Sequence, residues 1–161
     1  MIVVSDSSPL IALSAVGRLE LLKDLFGTVL IPEAVYAEVA RTGAGLPGER
    51  EVGEADWITV RPVGNAGLVR VLGLDLDPGE SEAIVLAMES GADLLLVDER
   101  KARRVASQLG LNVVGTIGLL VLAKQKGLLT AIRPVLDGLG TQAGFRIGTK
   151  VYDQALRLAG E

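Results

Sequence analysis

The sequence predicts an α/β fold of three layers, α/β/α, with a central parallel sheet and a helical extension at the C-terminus. Two observations support this prediction. Short runs of Val, Ile and Leu alternate along the chain with longer segments of helical periodicity. A helix between two strands forms a crossover, and such a crossover leaves the strands parallel. The length of 161 residues suits a single domain, 1–161, with a core over about 1–127 and the extension over about 128–161.

Five short apolar runs are the expected strands. The first begins at Ile2, where three β-branched residues stand in the first four positions. The run 57–63 alternates between apolar and polar residues, and Pro62 near its end is typical of an edge strand. The other strands are expected over 28–31, 92–97 and 111–114. The order of the strands in the sheet does not follow from the sequence.

Helices are predicted between these strands from apolar residues at helical spacing and from Pro and Gly at their ends. Asp77, Pro78 and Glu80 form the clearest start, a capping box with Pro at the first helical position. The Gly-rich segment 43–55 is expected to be a mobile loop or a loosely held helix. The last two helices are expected around a Gly-rich turn over 138–148. The predicted helices are 9–13, 18–26, 32–42, 66–72, 78–90, 99–109, 116–126 and two within 128–161.

The composition removes several kinds of chemistry. The chain has no Cys and no His, which excludes disulfides, thiolate chemistry, imidazole bases and Ser-His-Asp triads. Catalysis therefore has to rest on carboxylates, hydroxyls, Lys, Arg or a metal held by oxygen. The apolar stretch 113–123 is too short to span a bilayer, so a cytoplasmic protein with no membrane association is expected. With a net charge of −4, a nucleic-acid binder would need cations to neutralise part of its acid.

Two acids directly follow apolar strands and directly precede helices. Asp6 follows the first strand, and Asp98 follows the strand 92–97. The carboxyl ends of parallel strands meet at one edge of the sheet, which is where α/β proteins bind ligands. A simple helix cap, made by Asp6 or Ser8, is the alternative interpretation of the first position. Two such acids at one edge favour a site.

Three further acids are candidates for the same edge. Glu38 borders the apolar stripe of its predicted helix and could point over the sheet edge, although an ordinary exposed Glu is the alternative. Glu82 lies in the first turns after Pro78 and precedes an apolar run. Glu80 already has a structural role in the capping box. Glu82 is therefore preferred as a site ligand, with Glu80 as the second choice.

Four carboxylates in one pocket predict a bound cation. At about 4 Å and an effective dielectric constant of about 20, each pair of like charges costs about 4 kcal/mol. Oxygen ligands without His or Cys favour hard cations, so Mg²⁺ or Mn²⁺ is expected as the cofactor. Two divalent ions would neutralise the four charges, and a metal-activated water would attack phosphorus in line. The expected ligands, which are also the expected catalytic residues, are Asp6, Glu38, Glu82 and Asp98.

Basic and hydroxyl side chains complete the expected site. Four cations crowd the first turns of the helix after Asp98, where they could contact substrate phosphates; the alternative is a solvated face in which Glu99 pairs with Arg103. Ser7 and Ser8 would hydrogen-bond the acids or a metal-bound water, because no His or well-placed Lys exists to activate them as nucleophiles. The four cations are Arg100, Lys101, Arg103 and Arg104.

Six segments, spread over nearly the whole chain, carry a resemblance to a known family. In order they are VVSDSSPLI, IPEAVYAEV, LDPGESEAIVLA, LLLVDERKARRVA, VVGTIGLLVLAKQKGLL and GFRIGTKVYDQALRLAGE. With these segments the chain resembles the PIN-domain ribonucleases. Among them it is most similar to VapC-type toxin homologues that carry an extra C-terminal helical segment. The resemblance implies a PIN-like fold.

The resemblance also assigns roles to individual positions. Ser8 matches the position beside the first acid that is often Asn, Ser or Thr. The family often has Thr or Ser after the strand and an Asp two residues later, a count that would select Glu99, but the strand-end acid Asp98 is preferred as the fourth ligand. The family's first three acids correspond to Asp6, Glu38 and Glu82. The resemblance implies Mg²⁺-dependent cleavage of single-stranded RNA, a homodimer and often a cognate antitoxin that plugs the site.

Two functions from different classes remain open on the sequence. The preferred hypothesis is a metal-dependent endoribonuclease of the toxin type that leaves a 5′-phosphate and a 3′-hydroxyl. The alternative is a non-catalytic PIN-like binding module whose acidic pocket docks a basic partner peptide or a regulatory metal. A haloacid-dehalogenase-type phosphatase is disfavoured, because it needs a second Asp two residues after the first, where Ser8 stands. An aromatic content of 3% argues against base-stacking surfaces, so a modest sequence preference is expected.

Overall fold

The first strand lies at the centre of a five-stranded sheet whose strands are all parallel. The computed structural model describes all residues, 1–161, and the strand order is β3-β2-β1-β4-β5. In β1, Val4 pairs with Leu30 on one side and with Leu95 on the other. The expected edge strand, β3, is confirmed at the border of the sheet. The strands are β1 (Val3–Ser5), β2 (Val29–Pro32), β3 (Ile58–Arg61), β4 (Leu94–Leu96) and β5 (Val113–Val114).

Ten α-helices and one π-helical turn surround the sheet and confirm the three-layer α/β/α fold. The first four helices are α1 (Ser7–Ala15), α2 (Glu20–Phe26), α3 (Glu33–Tyr36) and α4 (Glu49–Glu54). The π-helical turn Ala37–Arg41 continues directly from α3. The remaining helices are α5 (Ala66–Leu72), α6 (Pro78–Ser90), α7 (Arg100–Gln108), α8 (Thr116–Gln125), α9 (Arg133–Gln142) and α10 (Thr149–Leu158).

Alternating residues of the central strands bury their side chains on opposite faces of the sheet. Val3 and Leu96 belong to the larger apolar core, which also contains residues of α1, α2, α8, α9 and α10. Val4 and Leu95 belong to a smaller core with residues of α6 and α7. Successive residues of a strand point to opposite faces, so a strand covered on both sides reads as a continuous apolar run. This explains why β1 and β4 lack visible alternation.

The C-terminal helices pack on the larger core. Ile132, Leu136 and Leu139 are fully buried there or nearly so. The Glu161 side chain accepts a 2.7 Å hydrogen bond from the Ile132 N–H and lies 3.0 Å from Lys124 Nζ. The last residue is therefore tied both to the start of α9 and to α8.

Of the two interpretations of segment 43–55, a mobile loop or a loosely held helix, the structure shows a helix, α4. Two details differ from the sequence-based expectations. The first helix begins at Ser7, two residues before Pro9. The expected glycine turn begins too early, because α9 includes Gly138. A Cβ at Gly138 would lie 3.3 Å from Val16 Cγ1, so the glycine permits α9 to approach the end of α1 closely.

None of the helices combines the length and the apolar composition that crossing a lipid bilayer requires.

Candidate active site

An acidic pocket of about 240 Å³ lies where β1 passes into α1. Its walls come from several elements: the start of α1, the π-helical turn, the start of α6 and the residue before α7. Five of its eight lining residues are acids, and none is a cation. The lining residues are Asp6, Ser7, Ser8, Ile11, Glu38, Asp77, Glu80 and Glu99.

Asp6 occupies the N-cap position of α1, yet its side chain makes no capping hydrogen bond. Its backbone N–H donates to the Leu96 carbonyl at 2.9 Å, which joins it to β4. The residue is only 5% exposed. The alternative interpretation of Asp6 as a simple helix cap is therefore wrong, because its carboxylate faces the pocket instead of closing the helix.

Burial raises the pKa of the Asp6 carboxyl to about 7. Loss of solvation is the main cause, since the charged form is the one that water stabilises. The negative charges of Asp77, Glu80 and Glu38 raise the pKa further, while the backbone N–H of Ser7 acts in the opposite direction. A carboxyl with this pKa is half protonated near neutral pH. The residues that line the pocket include no cation that would offset the negative charges of Asp77, Glu80 and Glu38.

Glu38 is positioned by a local change of helix type. It lies in the π-helical turn Ala37–Arg41, where the Thr42 N–H bonds to the Ala37 carbonyl five residues earlier. The Thr42 hydroxyl also donates to the carbonyls of Ala37 and Glu38. The Glu38 carboxylate accepts a 2.6 Å hydrogen bond from Ser7 Oγ. Single π-helical turns often occur at functional sites. Glu38 is exposed, as an ordinary surface Glu would be, and it also lines the pocket.

The start of α6 supplies two more acids through the predicted capping box. The Asp77 side chain accepts from the Glu80 N–H at 2.7 Å, and the Glu80 side chain accepts from the Asp77 N–H at 3.0 Å. Glu80 is 8% exposed, and burial raises its pKa. The structural role expected for Glu80 is confirmed, and the same residue also lines the pocket.

Gly79 leaves room where the acids meet. A Cβ at this position would lie 3.1 Å from Glu38 Oε2, 3.3 Å from Asp6 Oδ1 and 3.4 Å from Ser7 Oγ. Three oxygen atoms from two other elements therefore converge on the space that a larger residue would fill. Nothing in the sequence pattern singles out Gly79 beyond its place in a helix start.

Two of the expected ligands point elsewhere. Glu82 Oε1 accepts a 3.2 Å hydrogen bond from the Ala34 N–H, at the start of α3. The Asp98 carboxylate accepts from the Thr116 N–H at 2.6 Å and from the Thr116 hydroxyl at 2.7 Å. Both acids thus hold the N-terminus of a neighbouring helix, and neither lines the pocket. The expectation that Glu82 lacks a structural role is corrected by its bond to Ala34.

Glu99, the alternative to Asp98, lines the pocket. It is also the N-cap of α7, where its side chain accepts a 2.9 Å hydrogen bond from the Ala102 N–H. Asp77 also lines the pocket, although its sequence context predicts only a helix cap. The DPGE segment was the signal available for it, because a capping box holds the Asp77 and Glu80 side chains together at the start of the helix.

The expected phosphate-contacting cations spread away from the pocket. Lys101 Nζ lies 3.5 Å from Asp75 Oδ1, and Arg103 is directed toward Gly115 and the groove between α8 and α10. The alternative Glu99–Arg103 ion pair does not form, since Glu99 is engaged as a cap. Arg100 and Arg104 are exposed. None of the four lines the acidic pocket.

The donor set of the pocket fits a hard divalent cation. Its polar side chains offer only carboxylate and hydroxyl oxygen, the ligands that Mg²⁺ and Mn²⁺ prefer. As the side chains stand, no three acids lie close enough together to hold one ion.

Comparison with known proteins identifies the family. A model of the PIN domain matches residues 2–161, nearly the entire chain. The chain belongs to the PIN-domain family, whose members are generally nucleases and use divalent metal ions. No curated protein matches the chain significantly.

Proposed function

We propose that this protein is a metal-dependent endoribonuclease of the toxin type that hydrolyses phosphodiester bonds of single-stranded RNA. The observation that carries the proposal is the buried Asp6 carboxyl, held among four other acids at the carboxyl edge of a parallel sheet. Burying like charges together costs stability. A bound cation would offset this cost. The family supports a divalent metal ion in that role, because its nucleases generally use such ions.

The proposed metal ligands begin with Asp6 and Glu38. Glu80 and Glu99 complete the set most simply, because both already line the pocket. Glu82 and Asp98 are not among the residues that line the pocket. Mg²⁺ or Mn²⁺ bound here would neutralise the acids, polarise the phosphate and acidify the attacking water.

The chain's own residues would orient the reaction. Ser7 holds one oxygen of Glu38, which keeps that carboxylate beside Asp6. Gly79 leaves the space into which a substrate phosphate can move. Water adds to phosphorus as the bond to the 3′ oxygen breaks, and the 3′ oxygen takes up a proton. The products are a 5′-phosphate and a 3′-hydroxyl.

The proposal includes a toxin role, a cognate antitoxin as a partner and a homodimer. The resemblance to VapC-type homologues supports a cognate antitoxin and a homodimer, and the family match extends through both C-terminal helices. An antitoxin that offers a basic side chain would suit the acidic pocket by charge.

A cleavage assay tests the proposal. End-labelled single-stranded RNA is incubated with purified protein in Mg²⁺, in Mn²⁺ and in EDTA, and the product ends are mapped. The proposal expects internal cuts that leave 5′-phosphates and that disappear in EDTA. Metal binding and peptide binding without cleavage of any RNA would favour the non-catalytic module instead.

A further inference from the structure

A second cavity, of about 440 Å³, adjoins the acidic pocket and differs from it in character. The two share Glu38 and Ile11 in their walls. The second cavity is mainly aliphatic, with Ile11, Val39 and Leu46 among its lining residues. Its volume falls in the range of small-molecule sites, about 300–1,000 Å³.

One face of α1 connects the two cavities. Ser8 lines the acidic pocket, Ile11 lines both cavities, and Ala15 lines the second one. Residues three and four apart lie on the same face of a helix. At about 1.5 Å per residue, the path from Ser8 to Ala15 is roughly 10 Å long. A ligand that enters the acidic pocket can therefore extend along α1 into the aliphatic cavity.

From this juxtaposition we infer that the second cavity receives one unstacked base of the RNA whose phosphate occupies the acidic pocket. The inference rests on the proposed nuclease function. A base has apolar faces and a polar edge, and single-stranded RNA presents its bases splayed apart from one another. The aliphatic side chains of the second cavity can pack against the apolar faces of the base. Because the two cavities share Glu38 and Ile11, the base and the phosphate of one nucleotide can occupy them together.

Gln142 is the residue placed to select the base. Among the polar side chains of this cavity, Glu38 is bound by Ser7, and the Thr42 hydroxyl is bound to two carbonyls of the π-helical turn. Gln142, at the end of α9, contributes a free-standing amide with both a donor and an acceptor. Such an amide can read the edge of a base with two hydrogen bonds. The C-terminal segment thus completes the substrate site.

Leu46 offers a second test of the same cavity. It lies in the wall of this cavity and is 63% exposed. Gly43 holds the segment before it close to the π-helical turn, since a Cβ there would lie 2.6 Å from the Val39 carbonyl oxygen. A bound base would cover the Leu46 side chain and remove it from water.

Binding and cleavage of short RNA homopolymers separate this inference from the proposed function. Labelled A, C, G and U homopolymers are titrated by fluorescence anisotropy in Ca²⁺, with a gel to confirm that the RNA stays intact. The wild type is expected to bind one of the four roughly tenfold more tightly than the others, the discrimination that one two-bond contact provides. Q142A is expected to abolish most of this preference, and L46A to weaken binding of the preferred homopolymer.

Matched variants on other surfaces provide the controls. Gln125 and Leu74 are exposed and line neither cavity, so Q125A and L74A should bind like the wild type. Equal affinity for all four homopolymers, or a preference that Q142A leaves intact, would overturn the inference even if the RNA is cleaved in Mg²⁺. Base-selective binding without cleavage in Mg²⁺ would instead retain the base site and contradict the nuclease.

Discussion

Ser7 Oγ donates a 2.6 Å hydrogen bond to Glu38 Oε2 and thereby ties the first turn of α1 to the π-helical turn. The bond joins residues 31 positions apart in the chain. Ser7 is buried beside Asp6, so the same short segment supplies one acid and positions the next. The distance between the two proposed ligands thus depends on a serine that does not itself need to react.

Replacing Ser7 by Ala should impair cleavage without unfolding the protein. A hydrogen bond to a charged group contributes about 1.5–3 kcal/mol, and its loss frees Glu38 to turn toward solvent. RNA cleavage by S7A is expected to fall roughly tenfold or more, with a weaker apparent affinity for Mg²⁺. S107A alters an exposed serine of α7 and should leave both quantities unchanged. Full activity of S7A would show that the bond has no role in positioning.

The raised pKa of Asp6 predicts how stability depends on pH when no metal is bound. The pKa is about 7 in the folded protein and 3.8 for an unperturbed Asp, so the folded state holds the proton more tightly between these values. The free energy of unfolding should therefore fall as pH rises from about 4 to about 7, by at most about 4 kcal/mol. Thermal or urea unfolding in EDTA measures this slope.

The variant D6N removes the titrating group and should flatten that slope. In EDTA at pH 8, D6N is expected to be more stable than the wild type, because it no longer buries a charge among other acids. Added Mg²⁺ should stabilise the wild type and have little effect on D6N. Parallel pH profiles for the two proteins would contradict the raised pKa.

Adding a single methyl group at Gly79 should block the site. The Cβ of G79A would lie 3.1 Å from Glu38 Oε2 and 3.3 Å from Asp6 Oδ1, in the space where the acids meet. Cleavage is expected to fall by about a hundredfold if that space is needed for substrate or metal, an effect of about 3 kcal/mol. G53A is the matched control, because Gly53 lies in α4 with nothing within 4 Å of its added Cβ. Comparable activity of the two variants would place the reaction elsewhere.

Asp98 should matter for stability through α8. Its carboxylate accepts two hydrogen bonds from Thr116 at the first turn of that helix. D98N is expected to lower the free energy of unfolding by about 1–3 kcal/mol. T116V should reduce stability as well, and the double variant should cost less than the sum of the single ones, since both remove the same contact. Additive losses would mean that the pair does not interact.

The strands and the two-sided core were predictable because the signals are local. Runs such as LLLV in β4 are apolar on both faces, which only a buried parallel strand requires. The DPGE start of α6 was predictable for the same reason. The start of α9 and the position of Gly138 inside it could not be predicted from the sequence. That glycine is required by its close contact with Val16, which lies in a distant part of the chain.

The candidate site was predictable to the level of the segment and not of the side chain. Asp6 and Glu38 were expected at the sheet edge, and the structure brings them to one pocket. Glu80 and Glu82 lie two residues apart on one helix, and the direction of each side chain depends on its hydrogen-bond partner. Glu80 accepts from the Asp77 N–H and lines the pocket, whereas Glu82 accepts from the Ala34 N–H outside it. Thr116 does the same for Asp98. The Asp77–Glu80 bond is local and follows from the capping-box pattern, whereas no pattern along the chain reveals the distant partners Ala34 and Thr116.

Metal-dependent RNA cleavage by the wild type, D6N and D24N shows whether the acidic pocket is the active site. Asp24 lies exposed in α2, away from the pocket, so D24N removes an equal charge without touching the site. Cleavage in Mg²⁺ or Mn²⁺ is expected from the wild type and D24N, and D6N is expected to lose at least about a hundredfold of the activity with its fold intact. Cleavage by D6N at the wild-type rate would contradict the claim that the acidic pocket is the active site.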